Sequence, residues 1–294
     1  MLKRQTSGSC VCISCEQLIS ITHSVCPQCG QKNPSLWGYA PSLRQLGTDF
    51  GFVHLVIWGC IVLYVATLLT DIGQVRTVGL SRILPPSNLS VVLFGATGSI
   101  PVAGLGRWWT VLSAGWLHGS LLHIAFNLLW IRNLAPQVAK AFGPGRLVMI
   151  YTVAIAVGGM LTSLAGVFLK GIPFLGGSEL SIGASGGLFG LLGALVAYGQ
   201  IRNDLAANQD TWGLALILFV FGLLTPQVDN WGHLGGFLGG YLISRVQGIH
   251  PREPEGTRQL YGAIACLFLT ALSVLASLIH AYAYNFFDIW SSSP

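Results

Sequence analysis

The sequence predicts an all-α polytopic membrane protein with a small Cys-rich head at its N-terminus. Three observations carry this. Of 294 residues, 52% are hydrophobic and 9% charged, where a soluble domain carries about 25% charged residues; the mean hydropathy is +0.65. The apolar residues gather into runs near the roughly 20 residues a membrane helix needs. The first stretch of chain breaks the pattern, being polar and holding five of the seven cysteines.

Seven runs are candidate spans: 52–70, 118–138, 146–168, 185–200, 211–227, 231–247 and 260–284. Several are short and rich in glycine, which membrane helices use more freely than soluble ones. No apolar stretch follows a basic start, so a cleavable signal peptide is not expected. Orientation follows from Lys and Arg. A cytoplasmic N-terminus puts Lys3, Arg4, Lys32, Arg44, Arg132, Lys140, Arg146, Arg202, Arg245, Arg252 and Arg258 on or near the inner side, against Arg76, Arg82, Arg107 and Lys170 outside. An odd number of spans then leaves the C-terminus outside, and the expected address is the cell (inner) membrane. The net charge of +5 reflects this bias and implies no nucleic-acid partner.

The chain divides into a head (1–35), a linker (36–51), a core (52–250) and a last span with a short outer tail (251–294). Residues 71–117, between the first two spans, form a long semi-apolar loop with Trp108, Trp109 and Trp116. Long loops are often functional, and aromatic ones suit the membrane interface. Residues 248–259 make a charged connection.

In the head, Cys12-x-x-Cys15 and Cys26-x-x-Cys29 are two C-x2-C pairs. Each pair sets two thiolates on a tight turn, and two turns complete a tetrahedral zinc shell. Cys10 is a fifth thiol that can replace Cys12, and His23 is an alternative ligand. Redox thiols or disulfides are the other readings, which a cytoplasmic location disfavours. Four Cys ligands leave no open position, so the zinc is structural and the head serves stability or a protein partner. Cys60 and Cys266, inside spans, read as packing residues.

Polar residues inside spans are costly and mark function. Span four opens Gly183-Ala184-Ser185-Gly186-Gly187. This matches a nucleophile elbow, but no strand precedes it, so the soluble form of that motif is rejected. What remains is a Ser at the outer start of a helix, where free N–H groups favour an anion. His233 lies near the outer start of span six, at similar depth. Gly232, Gly236 and Gly240, broadened by Gly235 and Gly239, face a matching Gly186, Gly190 and Gly193 on span four. Such stripes let membrane helices approach closely. His123 and Asn127 share a face of span two and are either oxyanion donors or an interhelical clamp. His118, five before His123, faces elsewhere and organises the loop. Asp229, four before His233, is either a third member of a triad or a helix cap near water.

These residues together resemble the rhomboid family of intramembrane proteases: Arg107-Trp108-Trp109-Thr110, the His118/His123/Asn127 stretch, the Gly-x-Ser-Gly of Ser185 and the His-x-Gly-Gly-x-x-x-Gly of His233, over residues 50–250. The resemblance implies a six-helix core around a water-filled cavity open to the outside, with the last span as a six-plus-one addition. It implies a Ser185–His233 dyad that needs no cofactor, with His123, Asn127 and the Ser185 N–H forming the oxyanion hole. Gly183, Gly186 and His118 would line the substrate cleft. The long loop would lie in the outer leaflet, and 211–227 would be a lateral gate admitting a transmembrane substrate helix. Gly106, rather than a Trp, precedes Arg107, which leaves the contacts of Arg107 open.

The function expected is therefore that of an intramembrane serine endopeptidase. The rival is a non-catalytic rhomboid-like protein that binds or moves client helices; such proteins lose the Ser or the His, and both are present here. A channel or transporter predicts charges near the midplane, which these spans almost lack. A zinc metalloprotease lacks its H-E-x-x-H.

Overall fold

The computed structural model describes residues 3–75, 77, 79, 82–172, 175–225, 228–246 and 255–283. The expected span ends at Gln227, Gln247 and Tyr284, the connection around Arg252, and Arg76 lie outside the described residues.

The head is a two-stranded antiparallel hairpin, β1 (Ser9–Val11) and β2 (Leu18–Ser20), with Cys10 opposite Ile19. Its core is minute: Cys10, Cys12, Ile19, Ile21 and Cys26. A core this small needs a further staple to hold its shape. Short α1 (Ala40–Arg44) follows, and Arg44 reaches back to donate to the Cys12 carbonyl at 3.1 Å.

The rest is helical: α2 (Phe52–Thr70), α3 (Asn88–Phe94), α4 (Thr110–Ser113), α5 (Leu121–Phe142), α6 (Pro144–Phe168), α7 (Ser185–Arg202), α8 (Leu205–Leu224), α9 (Asn230–Ile243) and α10 (Thr257–Ala283). Four of these, α2, α6, α8 and α10, are long and apolar enough to cross a membrane. Helices α5, α7 and α9 coincide with the other three runs. Helix α5 carries His123, Asn127, Arg132 and Lys140, and α9 has 14 residues.

Two boundaries move for reasons of capping. The second run begins its helix at Leu121, not 118, because Ser120 Oγ accepts the His123 N–H at 3.2 Å. The fifth begins at Leu205, not 211, because Asp204 accepts the Ala207 N–H at 3.1 Å. Polar N-caps of this kind satisfy one of the orphan donors of a first turn.

Helix α7 is the centre of the bundle, with Leu188, Leu191, Leu192, Ala194, Val196 and Ala197 fully buried. Helix α9 lies between α6 and α7 and meets each through bare backbone. A Cβ at Gly236 or Gly240 would overlap the carbonyl oxygen of Gly186 or Gly190 on α7. On its other side, a Cβ at Gly235 would lie 2.9 Å from Gly158 Cα, and one at Gly239 3.0 Å from Val157 Cβ, both on α6. The glycines expected to form one broad stripe therefore form two, one for each neighbour.

Residues 107–113 fold onto α10. Ser273 Oγ donates to the Trp109 carbonyl at 2.7 Å and accepts the Ser113 N–H at 3.1 Å. Ser277 Oγ accepts the Trp109 Nε1–H at 3.1 Å, and Arg107 donates to the Ser277 carbonyl at 3.1 Å and the Val92 carbonyl at 2.8 Å. Ser273 and Ser277 are four apart, on one helical face. The buried Arg107 guanidinium is thus held by carbonyls, as a buried charge must be. Trp108 is exposed, as an interfacial residue should be.

Candidate active site

Ser185, His233 and His123 all lie in the first turn of a helix, α7, α9 and α5 respectively, at one end of the bundle. Ser185 is the first residue of α7, so its N–H and those of Gly186 and Gly187 have no acceptor within the helix. Ser185 is half-buried; His233 is buried.

The His233 imidazole lies flat on the Phe189 ring, centroids 4.2 Å apart and planes 18° apart. Phe189 is one turn beyond Ser185 on the same face of α7. His233 Nδ1 is turned toward α8, where a Cβ on Gly222 would lie 3.4 Å from it. Among the described residues, no hydrogen bond joins Ser185 to His233.

His123 approaches Ser185 from the other side. Its Nδ1 accepts the Gly119 N–H at 3.3 Å. A nitrogen that accepts carries no proton, so the neutral ring holds its proton on Nε2. Nε2 faces Gly183, which has φ 137°. A Cβ there would lie 2.8 Å from His123 Nε2 and 3.6 Å from Ser185 Oγ. Any side chain at Gly183 would stand between the two, and the backbone there is in a region that favours glycine. Asn127 is buried and donates one amide proton to the His123 carbonyl at 3.1 Å, which leaves the other for a second acceptor.

Two expectations need correcting. His118 precedes α5 instead of riding on it, so the five-residue spacing does not turn it away: its ring meets that of His123 edge-on at 5.1 Å, fully buried. Asp229 caps α9, as one of its two readings has it; the triad reading is the one that fails, since the carboxylate does not bond the His233 ring. Its Oδ1 accepts the Gly232 N–H and the Thr162 hydroxyl, each at 2.9 Å, and its Oδ2 accepts the Ser181 hydroxyl at 2.5 Å. Phe189, Thr162 and Ser181 were not singled out from the sequence.

Helix α8 closes one side loosely, burying only Ala215, Leu218 and Gly222. At the seam with α5, Phe221 stacks on Phe126 with centroids 6.0 Å apart.

Residues 105–248 match the family model described as Rhomboid domain. This chain carries a rhomboid domain. It is 32% identical over 173 residues to RHOMBOID-like protein 4 of Arabidopsis thaliana, covering 58% of this chain and 41% of that protein. It is 30% identical over 188 residues to Rhomboid protease GluP of Bacillus subtilis, covering 63% of this chain and 34% of the relative. Against RHOMBOID-like protein 7 of Arabidopsis thaliana it is 31% identical over 180 residues, 58% of this chain and 52% of that protein. The chain thus spans about a third to a half of these relatives' length. The rhomboid family is integral to membranes, and four apolar helices of sufficient length agree with it.

At the far end of the chain, Cys12, Cys15, Cys26 and Cys29 bring their Sγ atoms within 4.8 Å of one another, an arrangement that could hold a metal ion. Cys12 and Cys29 are 3.9 Å apart and Cys15 and Cys26 3.7 Å. Neither Cys10 nor His23 belongs to this cluster. An apolar cleft of about 440 Å³ lies near the head, between Trp37, Phe52, Val148 and Ile264. It touches none of Ser185, His233, His123 and Asn127.

Proposed function

We propose that this rhomboid protein is an intramembrane serine endopeptidase that cleaves transmembrane-helix substrates with Ser185 as nucleophile and His233 as base. The observation that carries this is the convergence on one small space of a helix-start serine, a glycine with no room for a side chain, and a histidine whose Nε2 bears the proton.

In this reading His233 Nε2 takes the Ser185 hydroxyl proton as Oγ bonds to the substrate carbonyl carbon, and the carbonyl π pair moves onto oxygen. His123 Nε2–H, the free Asn127 amide proton and the Ser185 N–H receive that oxyanion where water is scarce, so each donor counts for more. Collapse of the intermediate breaks the C–N bond, and the imidazolium returns its proton to the leaving amine. Water then repeats the sequence on the acyl-enzyme. Phe189 holds the ring of His233, and Gly183, Gly186 and His118 shape the cleft. The substrate helix enters at the α5–α8 seam.

The head (1–35) holds a structural zinc on Cys12, Cys15, Cys26 and Cys29. A tetrahedral shell with Zn–S near 2.3 Å sets sulfurs roughly 3.8 Å apart, close to the 3.9 Å of Cys12–Cys29 and the 3.7 Å of Cys15–Cys26. The metal plays no part in the chemistry; it supplies the staple the small core lacks, and the head presents a surface for a protein partner. The linker (36–51) joins it to the core (52–250), and residues 251–294 carry the last span. The protein lies in the cell membrane with its N-terminus in the cytoplasm and its C-terminus outside.

The test is a purified, detergent-solubilised protein given a transmembrane substrate and a fluorophosphonate probe. Cleavage and labelling are expected for wild type and for neither Ser185→Ala nor His233→Ala. Cleavage that survives Ser185→Ala sinks the serine mechanism, and a folded wild type that binds the substrate without cleaving it favours the non-catalytic alternative. For the head, one zinc per chain is expected, lost in Cys12→Ser and kept in Cys10→Ser; a metal-free, folded head refutes the ribbon.

A further inference from the structure

Two pieces of the proposed site come from distant parts of the chain. Ser185 follows a loop that includes residues 175–184, and His233 stands in the first turn of α9. A hydrogen-bonded dyad demands that these two pieces stay in register to a fraction of an ångström. Side chains join α7 to α9 at Phe189–His233 and at Tyr241–Gln200, but neither contact holds the segment that leads into Ser185, which needs a tie of its own.

Asp229 is the residue where the pieces meet. It is the N-cap of α9, four residues before His233, and its carboxylate takes the Gly232 N–H of its own helix. The same carboxylate takes the hydroxyl of Ser181, four residues before Ser185, and that of Thr162 on α6. Thr162 Oγ1 in turn accepts the Ser178 N–H at 3.2 Å, so the loop is tied a second time through the same hub. A third tie lies alongside: Trp231 Nε1 donates to the Leu175 carbonyl at 2.9 Å.

Ser181 is itself pinned from the opposite side. It exchanges both backbone hydrogen bonds with Thr97, at 3.0 and 2.7 Å, and Gly183 N donates to the Ala114 carbonyl at 2.9 Å. The loop therefore cannot follow Asp229 freely; it is stretched between the long loop on one side and the start of α9 on the other. A helix cap alone needs only one acceptor for one N–H. Two further hydroxyls from two further segments exceed that need.

We propose that Asp229 is a positioning residue, which clamps the nucleophile's loop through Ser181 to the helix that carries the base and so sets the Ser185–His233 distance. The inference rests on the protease reading above. Asp229 touches neither substrate nor the His233 ring; it acts through Ser181 and Thr162.

The discriminating variant is Asp229→Ser. Serine caps a helix about as well as aspartate, but its shorter side chain cannot reach Ser181 and Thr162 together with Gly232. The measurements are the fluorophosphonate labelling rate constant, kcat and KM on a transmembrane substrate, and the thermal midpoint, for wild type, Ser185→Ala, Asp229→Ser, Ser181→Ala and the double variant. Asp229→Ser and Ser181→Ala are each expected to lower kcat and the labelling rate on the order of 10- to 100-fold. KM should stay within about twofold, since uniform binding is untouched. The double variant should be no slower than the slower single one, because both break one clamp. Wild-type rates in Asp229→Ser, or multiplicative losses in the double variant, overturn the positioning role. A loss of thermal midpoint that alone accounts for the lost activity reduces Asp229 to a cap. If Asp229→Ser fails to fold, Ser181→Ala by itself decides: an unchanged labelling rate refutes the clamp. A wild type that labels no better than Ser185→Ala is a failure of the protease reading, seen separately, and it removes the clamp's purpose with it.

Discussion

The ring of Phe189 lies flat against the imidazole of His233, 4.2 Å between centroids. Because Phe189 is one helical turn from Ser185, the contact fixes the ring of His233, the proposed base, to the helix face that carries Ser185, the proposed nucleophile. An aromatic pair of this kind is worth about 1 kcal/mol beyond its buried area. Phe189→Ala should therefore lower kcat by at least about fivefold, while Phe189→Tyr, which keeps the flat face, should retain most of it. A pH–rate profile on the transmembrane substrate checks the assignment: an unchanged profile and rate in Phe189→Ala would show that the ring is mere filling.

The close seam between α7 and α9 predicts a sharp contrast between two glycines. Gly236→Ala drives a methyl into the Gly186 carbonyl, and overpacking of this kind costs roughly 1–3 kcal/mol. It should lower the thermal midpoint and abolish labelling. Gly213→Ala, on α8, meets nothing within 4 Å and gains up to about 1 kcal/mol of helix propensity. Its midpoint should hold or rise. Equal effects at the two positions would contradict the packing described.

At the α5–α8 seam the stacked Phe126 and Phe221 are the visible closure. If substrate helices enter there, Phe221→Ala should raise the cleavage rate of a transmembrane substrate severalfold. Labelling by a small fluorophosphonate, which needs no wide opening, should be unaffected. A rise in both, or in neither, would place entry elsewhere.

Glu255 is buried beside the start of α6, where its carboxylate accepts the Arg146 N–H at 2.8 Å. Burial pushes its pKa up to about 7, against the pull of the backbone N–H groups and charge of Arg146 and the N–H of Gly145. The folded state then holds a proton that the unfolded chain, with an ordinary glutamate, has already released. Stability should fall as pH rises from about 4.5 to about 7 and level off above, by an amount on the order of a few kcal/mol. Thermal midpoints between pH 5 and pH 8 should show this slope in wild type and lose this part of it in Glu255→Gln. The same slope in the variant would assign it to other groups.

Much of the candidate site is legible because the bilayer makes polar residues conspicuous. Ser185, His233, His123 and Asn127 stood out as the few groups in apolar runs that need a reason to be there, and the two C-x2-C pairs announced a cluster by spacing alone. What stayed hidden depended on contacts that spacing does not encode. Phe189 is one phenylalanine among 14 and looks like core until its partner is known. His118 was turned the wrong way because a helical count was carried past Ser120, where the helix had not begun. The cap role of Asp229 is legible from its place before the helix, but its further partners, Ser181 and Thr162, come from segments that no local pattern brings to it. Ser273 and Ser277 pass for incidental polarity in the last span, since their long-range partners, Trp109, Ser113 and Arg107, come from a distant segment.

The two bare faces of α9 carry a consequence for how activity is lost. A seam made of side chains can loosen by degrees, one rotamer at a time. Backbone against backbone has no such intermediate states: Gly236 and Gly240 either touch α7 or stand away from it. If the protease reading holds, heat, detergent or a misfitting lipid should therefore not make this protein gradually slower. Each molecule should work at full rate until its seam parts, so that a half-inactivated sample is a mixture of intact and dead copies, with kcat per labelled serine unchanged throughout.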